Sequence, residues 1–331
     1  MNQVAEPMIA TQQVVKTFPS RRNHGHPVRA VDNLDLAVQR GETFGLLGAD
    51  GSGKTTTLRL LNGLLLPDEG TMRVAGLDPT RDVERRQIHA RAGYMPQQFA
   101  LYGDLSVWEN LDFAAESYGL TRAQKAERLP HLLHFARLEE FKRRLGAQLS
   151  GGMKKKLALA CMLLHEPEVL FLDEPTLGVD PVSRREFWNL LSDLRAEKGV
   201  TIFVCTPYMD EAERCHRVGL LYQGRLIACD TPRGIRRLVP GELLELHCPD
   251  VYAAQATVSH LEGVLEVQTY GDLLHVFVDS ALVRKAQVQA ALLAQGIPVS
   301  GVRTVDARME EAFVSLLRRE ALQHRGEESR P

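Results

Sequence analysis

Residues 48–56 read Gly48-Ala49-Asp50-Gly51-Ser52-Gly53-Lys54-Thr55-Thr56, a G-x-x-x-x-G-K-[ST] pattern. An apolar stretch, Thr43-Phe44-Gly45-Leu46-Leu47, precedes it, and a helical pattern, Thr57-Leu58-Arg59-Leu60-Leu61, follows. Strand, glycine-rich turn and helix in that order are the context in which this pattern folds as a phosphate-binding loop. Glycines let the backbone curl so that successive N–H groups face one centre, and the helix N-terminus behind them adds positive potential. Lys54 then reaches the β- and γ-phosphates of a nucleotide, and the Thr55 hydroxyl is placed to ligate Mg²⁺. An ordinary glycine turn is the competing reading, and the flanking strand and helix weigh against it.

A second apolar strand, Glu168-Val169-Leu170-Phe171-Leu172, has the unbroken hydrophobicity of a parallel sheet and ends in Asp173-Glu174. Structural acids are usually spread over solvated loops. Here a buried strand aims two of them at one edge, where Asp173 serves a Mg²⁺ shell and Glu174 orients and deprotonates a water. Leu149-Ser150-Gly151-Gly152-Met153 opens an apolar helix with Ser150 as N-cap, leaving backbone donors for an anion. Lys154, Lys155 and Lys156, three charges on one turn, read as a solvated face.

Composition limits the alternatives. The chain has 331 residues, 44% hydrophobic and 25% charged, as expected of a globular protein of about two domains. A net charge of −2 argues against charge-driven nucleic-acid binding. Five cysteines without C-x-x-C spacing fit a reduced, cytosolic setting. Neither a signal peptide nor a membrane-length apolar run is present, so action at a membrane requires a partner.

Along the chain, Ile9–Phe18 and Arg29–Val38 alternate as strands of an antiparallel layer, joined by a polar loop at 19–27. His24 and His26 in that loop lack a carboxylate or cysteine cluster and read as solvated. A helical subdomain is expected at about 98–150. Asp180-Pro181 starts a helix whose apolar face includes Phe187, Leu190, Leu191 and Leu194, so Trp188 reads as packing. The nucleotide-binding region is placed at 1–231. Beyond it, strands and helices in the order β-α-β-β-α-β predict a ferredoxin-like α+β module at 240–322. Its last helix, Arg308–Leu322, sets Met309, Phe313, Leu316 and Leu317 on one face, and a frayed tail follows at 323–331.

The set Gly48–Thr56, Gln97, Leu149–Met153, Asp173-Glu174 and Leu177-Gly178-Val179-Asp180 resembles the ATP-binding subunit of an ABC transporter. The likeness runs over about residues 8–231 and rests on several independent motifs in order. It implies an α/β P-loop NTPase core with an antiparallel layer and a helical subdomain, and ATP and Mg²⁺ as cofactors. It also implies a dimer in which each site joins one chain's phosphate loop to the other chain's signature segment. Phe18 resembles the aromatic residue that stacks on adenine, and Gln97 the glutamine that senses Mg²⁺ and contacts the membrane subunit. Ser150, Gly151 and Gly152 correspond to the segment that reaches the γ-phosphate of the partner's ATP, and Asp180 to the loop linking the two sites. Lys54 and Glu174 form the catalytic pair, with Thr55, Gln97 and Asp173 around the metal. Within the family, the stretch from Tyr94 to Asn110, Met153 and the C-terminal module resemble ABC-2-type exporter ATPases. Those include the daunorubicin-resistance type and the first half of tandem YbhF-type proteins. Such subunits sit on the inner face of the membrane and drive an integral-membrane permease.

Three residues depart from the family pattern. Met153 stands for the usual glutamine and Asp50 for a common asparagine. Pro207 replaces the histidine that contacts the γ-phosphate, and proline offers neither a side-chain donor nor an N–H. An exporter ATPase and a hydrolysis-impaired subunit that completes a partner's site are therefore both open readings. A ribosome-associated ABC protein would carry two nucleotide domains in one chain, and a GTPase would carry an N-K-x-D segment. Pro207 favours a hetero- over a homodimer, with a second ATPase supplying the histidine.

Overall fold

The computed structural model describes residues 6–19, 27–98 and 101–328, with side chains through residue 322. Most of the loop expected at 19–27, with His24 and His26, lies outside the described residues, as does the end of the tail. The chain divides into two compact units, Met1–Cys229 and Asp230–Pro331.

In the first unit, β1 (Ile9–Phe18), β2 (Val28–Val38) and β4 (Glu69–Val74) form an antiparallel sheet in the order β2-β1-β4. β3 (Thr43–Leu47) leads through the glycine-rich turn into α1 (Lys54–Leu61), and α2 (Asp82–Arg91) leads into β5 (Ala92–Met95). The helical region holds α3 (Val107–Ser117) and α4 (Arg122–Phe135) and passes into α5 (Gly151–Leu163). Ser106 with Glu109 and Thr121 with Gln124 close reciprocal capping boxes on α3 and α4, each satisfying otherwise orphaned N–H groups. Then follow β6 (Val169–Asp173), α6 (Pro181–Lys198), β7 (Thr201–Thr206), α7 (Met209–Ala212), β8 (Arg217–Tyr222) and β9 (Arg225–Asp230).

The main sheet runs β5-β6-β7-β3-β8-β9, with β5 through β8 parallel. Every residue of β3, β6 and β7 is buried, which is why their sequences read as continuous apolar runs rather than alternations. Because β7 lies between β3 and β6, parallel pairing brings three chain turns to one edge: the glycine-rich loop after β3, Asp173-Glu174 after β6 and Thr206-Pro207 after β7. Ligands of open parallel sheets bind at such C-terminal strand ends.

The second unit begins with α8 (Pro232–Arg236). β10 (Glu242–His247), α9 (Val251–Val258), β11 (Val264–Tyr270), β12 (Leu273–Val278), α10 (Ala281–Ala294) and β13 (Ser300–Val305) follow, then α11 (Met309–Glu328). The sheet order β11-β12-β10-β13, antiparallel throughout, is ferredoxin-like. Leu244, Leu246, Leu274, Val276 and Val302 face α9 and α10 in one apolar core. The opposite face meets α11, and that seam differs from expectation. Met309 is buried, but Phe313, Leu316 and Leu317 are only half-buried, and Glu311, Ala312 and Ser315 fill the interior positions. Alternation along the strands explains it, because the same face carries Glu245, Gln268 and His275, and α11 answers with polar groups. The helix also continues to Glu328, past the boundary expected at 322.

Candidate functional site

Gly53 fixes the loop. Its φ of +108° is closed to other residues at ordinary cost, and a Cβ there would stand 2.2 Å from the Ala30 carbonyl oxygen. With the loop so held, the buried Lys54 ammonium turns back to donate to the Gly48 and Ala49 carbonyls at 2.8 and 3.1 Å. It lies 3.7 Å from Glu174 Oε1. Thr55 Oγ1 donates to Asp173 Oδ1 at 3.1 Å, and Gln97 Nε2 donates to Glu174 Oε2 at 2.8 Å. Residues far apart in sequence thus form one chain of contacts. It borders a cavity of about 290 Å³ lined by Ala30, Asp50, Gly51, Gly53, Lys54, Thr55, Thr56, Gln97 and Glu174.

Glu174 adopts φ +47°, an uncommon conformation for a side-chain-bearing residue, and its N–H donates to the Cys205 carbonyl at 2.9 Å. The turn out of β6 is therefore tied to β7, and the carboxylate is set at the cavity rather than in the sheet. Such strain concentrates at functional positions. Burial pushes the Asp173 carboxyl up from the usual range, the Thr55 hydrogen bond opposes this, and the neighbouring Glu174 charge adds to it. Its oxygens, the Thr55 hydroxyl and the free amide oxygen of Gln97 are the hard donors that Mg²⁺ takes. The donor set fits that ion.

Ser150 caps α5, accepting from Met153 N at 3.3 Å, and remains exposed. Gly152 lies where a Cβ would come within 2.4 Å of Ser183 Cβ, so the N-terminal turn of α5 can sit against the first turn of α6 only with glycine there. Asp180 caps α6, its Oδ1 accepting from Ser183 N at 2.9 Å. Ser150, Gly151 and Gly152 do not line this chain's loop cavity, and neither does Phe18. Phe18 is half-buried at the end of β1, with the Lys16 ammonium 5.6 Å above its ring. Gly48 and Ser52 are buried and Ala49 is exposed, and none of the three lines the cavity; among the described residues the Ser52 hydroxyl has no hydrogen-bond partner.

Several neighbours were not legible in the sequence. The lysine run is not one solvated face. Lys154 is exposed, Lys155 donates to the Gln97 carbonyl at 3.3 Å, and Lys156 is buried and pairs with Glu186 at 2.9 Å. Because α5 is packed on most of its circumference, consecutive lysines meet different surroundings. Burial lowers the Lys155 ammonium from its usual range, against the Glu174 and Asp173 charges that raise it. Glu211, fully buried, accepts from the Thr176 hydroxyl and from Thr206 Oγ1 at 2.6 Å. Thr206 Oγ1 in turn accepts from Tyr208 N at 3.1 Å, and the Arg184 guanidinium lies 4.4 Å over the Tyr208 ring. This network braces the turn that contains Pro207. Its only sequence signal was an acid in the first turn of a short helix after a buried strand.

A family profile described as ABC transporter matches residues 31–177. The chain is 38% identical over 312 residues to a probable multidrug ABC transporter ATP-binding protein, YbhF, of Escherichia coli, covering 94% of this chain and 52% of that protein. It thus spans about half the length of that relative. It is 39% identical over 305 residues to Nod factor export ATP-binding protein I of Cupriavidus metallidurans, covering 91% of this chain and 96% of that one. Among solved structures, a dimeric ATP-binding cassette in a post-hydrolysis state with ADP and Pi superposes with a TM-score of 0.61 at 27% identity, covering 68% of this chain and 98% of that chain. The cbiO1 protein of Clostridium perfringens, part of an ABC transporter complex, gives 0.61 at 27% identity, covering 70% and 94%. Loop, paired carboxylates and sheet order therefore coincide with shared sequence, and the chain belongs to the ABC transporter family as an ATP-binding cassette, a family of ATPases.

Proposed function

We propose that the chain binds ATP–Mg²⁺ at the Gly48–Thr56 loop and couples its hydrolysis, through an ABC-2-type permease at the inner face of the membrane, to efflux of a drug-like or lipid substrate. The observation that carries this reading is the contact chain Gln97–Glu174–Lys54 at the loop cavity. Glu174 orients a water and accepts its proton, while Lys54 and the loop N–H groups hold the phosphates in line. Thr55, Asp173 and Gln97 hold Mg²⁺, which when bound neutralises phosphate charge. A dimer mate receives Ser150, Gly151 and Gly152 at its γ-phosphate, and Phe18 stacks on adenine.

Two observations support a membrane partner rather than a nucleic acid. Among the described residues no helix is long and apolar enough to cross a membrane, so transport needs spanning segments other than these. The α3 region also exposes Tyr102, Phe113 and Tyr118 around a cavity of about 270 Å³, close in sequence to Gln97. An apolar cleft of that kind suits a helix end of the permease. The relatives named for multidrug and Nod factor transport favour the export direction.

A second reading, a hydrolysis-impaired subunit that completes a partner ATPase, rests on Pro207. The backbone N–H of Tyr208 is already spent on Thr206 and its ring is stacked under Arg184, so Tyr208 is a poor substitute for the missing histidine. Loss of one preorganised donor costs about 10²–10³ in rate. Phosphate release by the wild-type chain, by Pro207→His and by a co-purified complex with a second ATPase separates the readings. The asymmetric reading expects slow, faster and fast turnover respectively. Wild-type turnover equal to that of Pro207→His without a second ATPase would leave the self-sufficient exporter.

A further inference from the structure

Arg233, Arg236 and Arg237 stand at i, i+3 and i+4 around α8, so all three guanidinium groups leave from one face. They line a cleft of about 260 Å³ with Asp306 and Ala307, just ahead of α11. An adjoining cavity of about 300 Å³ shares Arg236, Arg237, Asp306 and Ala307 and adds the Thr304 position of β13. Arg233 and Arg237 are exposed, and among the described residues neither forms an ion pair. Among the described residues Asp306 is the one carboxylate lining the smaller cleft, and the Glu242 carboxylate in the larger one accepts from the Ala281 N–H at 2.5 Å.

We propose that this cleft is a phosphate-ester site on the C-terminal module, separate from the ATP loop. A guanidinium fork matches two phosphate oxygens at once, and the exposed forks of Arg233 and Arg237 opening on one concavity select a tetrahedral dianion or phosphodiester over a halide. The concavity is far larger than one phosphate, leaving room for the alcohol portion of the ester. Two sources carry this chemistry, a soluble phosphate monoester and an anionic lipid headgroup.

The test uses the full chain with its ATP loop saturated by ADP and Mg²⁺. One arm titrates glycerol phosphate by calorimetry. The other floats vesicles of phosphatidylcholine with and without phosphatidylglycerol. Arg233→Gln/Arg237→Gln should weaken whichever interaction occurs by about tenfold or more, equivalent to about 1.4 kcal/mol. Asp306→Asn should strengthen it, and the double arginine variant should melt as wild type does, since among the described residues neither side chain forms an ion pair. Saturable glycerol phosphate binding lost in the double variant supports the site and assigns a soluble ligand. Phosphatidylglycerol-dependent flotation lost in that variant supports it and assigns a headgroup. Absence of both interactions, or either one persisting unchanged in the double variant, overturns the proposal.

Discussion

The cassette and the C-terminal module both bury carboxylates beside cationic groups, yet only the cassette leaves its cluster open. Lys54 and Glu174 are 4% and 7% exposed and still border the loop cavity, with Asp173, 1% exposed, held behind them by Thr55. Glu245 and His275 are 6% and 3% exposed and lie beneath α11, which sets its own Glu311, 2% exposed, against them. His275 stands 3.4 Å from Glu245 and 3.2 Å from Glu311, and Arg303 closes on Glu245 from the rim at 2.5 Å. In the module Arg303 answers Glu245, and the His275 ring fills the space between the two acids. In the cassette Glu174 faces the Lys54 ammonium at 3.7 Å, and that ammonium is partly committed to loop carbonyls, so the cluster is left open to what enters. Burial of charge is common to both, and the opening separates a binding site from a clasp.

The largest expected effect breaks the open cluster. Glu174→Gln keeps the contact with Gln97 but removes the proton acceptor, and turnover should fall by about 10²–10⁴. ATP affinity, measured by titration, should stay within a few-fold. Collapse of binding together with turnover would mean that Glu174 shapes the cavity rather than serving the water.

Next comes the clasp. His275→Leu leaves Glu245 and Glu311 buried without the group between them, and loss of one partner from a buried pair costs about 3–5 kcal/mol. Hydrogen exchange should accelerate across β10–β13 and α11, with nucleotide titration of the cassette unaltered. Unchanged protection in the module would show that the seam does not depend on His275.

Acid sharpens the same contrast through opposite signs. Burial raises the Glu245 carboxyl, but Arg303 and then His275 lower it further, leaving it below the usual range. Glu311 is likewise raised by burial and brought down by His275 and by backbone donors, with a net lowering. Their stabilisation is complete above an unfolded value of about 4.3 and is lost as pH falls through the folded values. Asp173, raised mainly by burial, contributes the reverse: its share is present below an unfolded value of about 3.9 and is lost as pH rises through its folded value. Exchange followed from pH 6 into acid should therefore release α11 before the strands around Asp173. Simultaneous release, or release of the cassette first, would refute the comparison.

How much was readable follows from the kind of signal each part carries. The loop, the strand ending in Asp173-Glu174 and the β-α-β-β-α-β order are contiguous patterns, and contiguity survives without a structure. Lys155 and Glu211 act through partners at Gln97, Thr176 and Thr206, and no local pattern encodes those meetings. The polar seam escaped for a different reason. The apolar spacing of Met309, Phe313, Leu316 and Leu317 was a true amphipathic signal, but the sheet face opposite it is half polar, and a helix packs on what it meets.

Ser150 tests the finest division between structure and chemistry, because one hydroxyl carries both a cap and the proposed contact with a partner's γ-phosphate. As a cap it accepts from Met153 N, and aspartate caps as well as serine does. An acid at that helix start also suits the backbone dipole. Ser150→Asp should therefore change the melting free energy by no more than about 0.5 kcal/mol, whereas Ser150→Ala loses the cap and costs about 1 kcal/mol. Turnover separates the two roles. A carboxylate facing an incoming phosphate repels it, so the dimer built from Ser150→Asp should hydrolyse ATP more slowly than the one built from Ser150→Ala, although it is the more stable. If the two rank in the same order for stability and turnover, Ser150 is a cap and nothing more, and the signature segment of this chain does not reach a nucleotide.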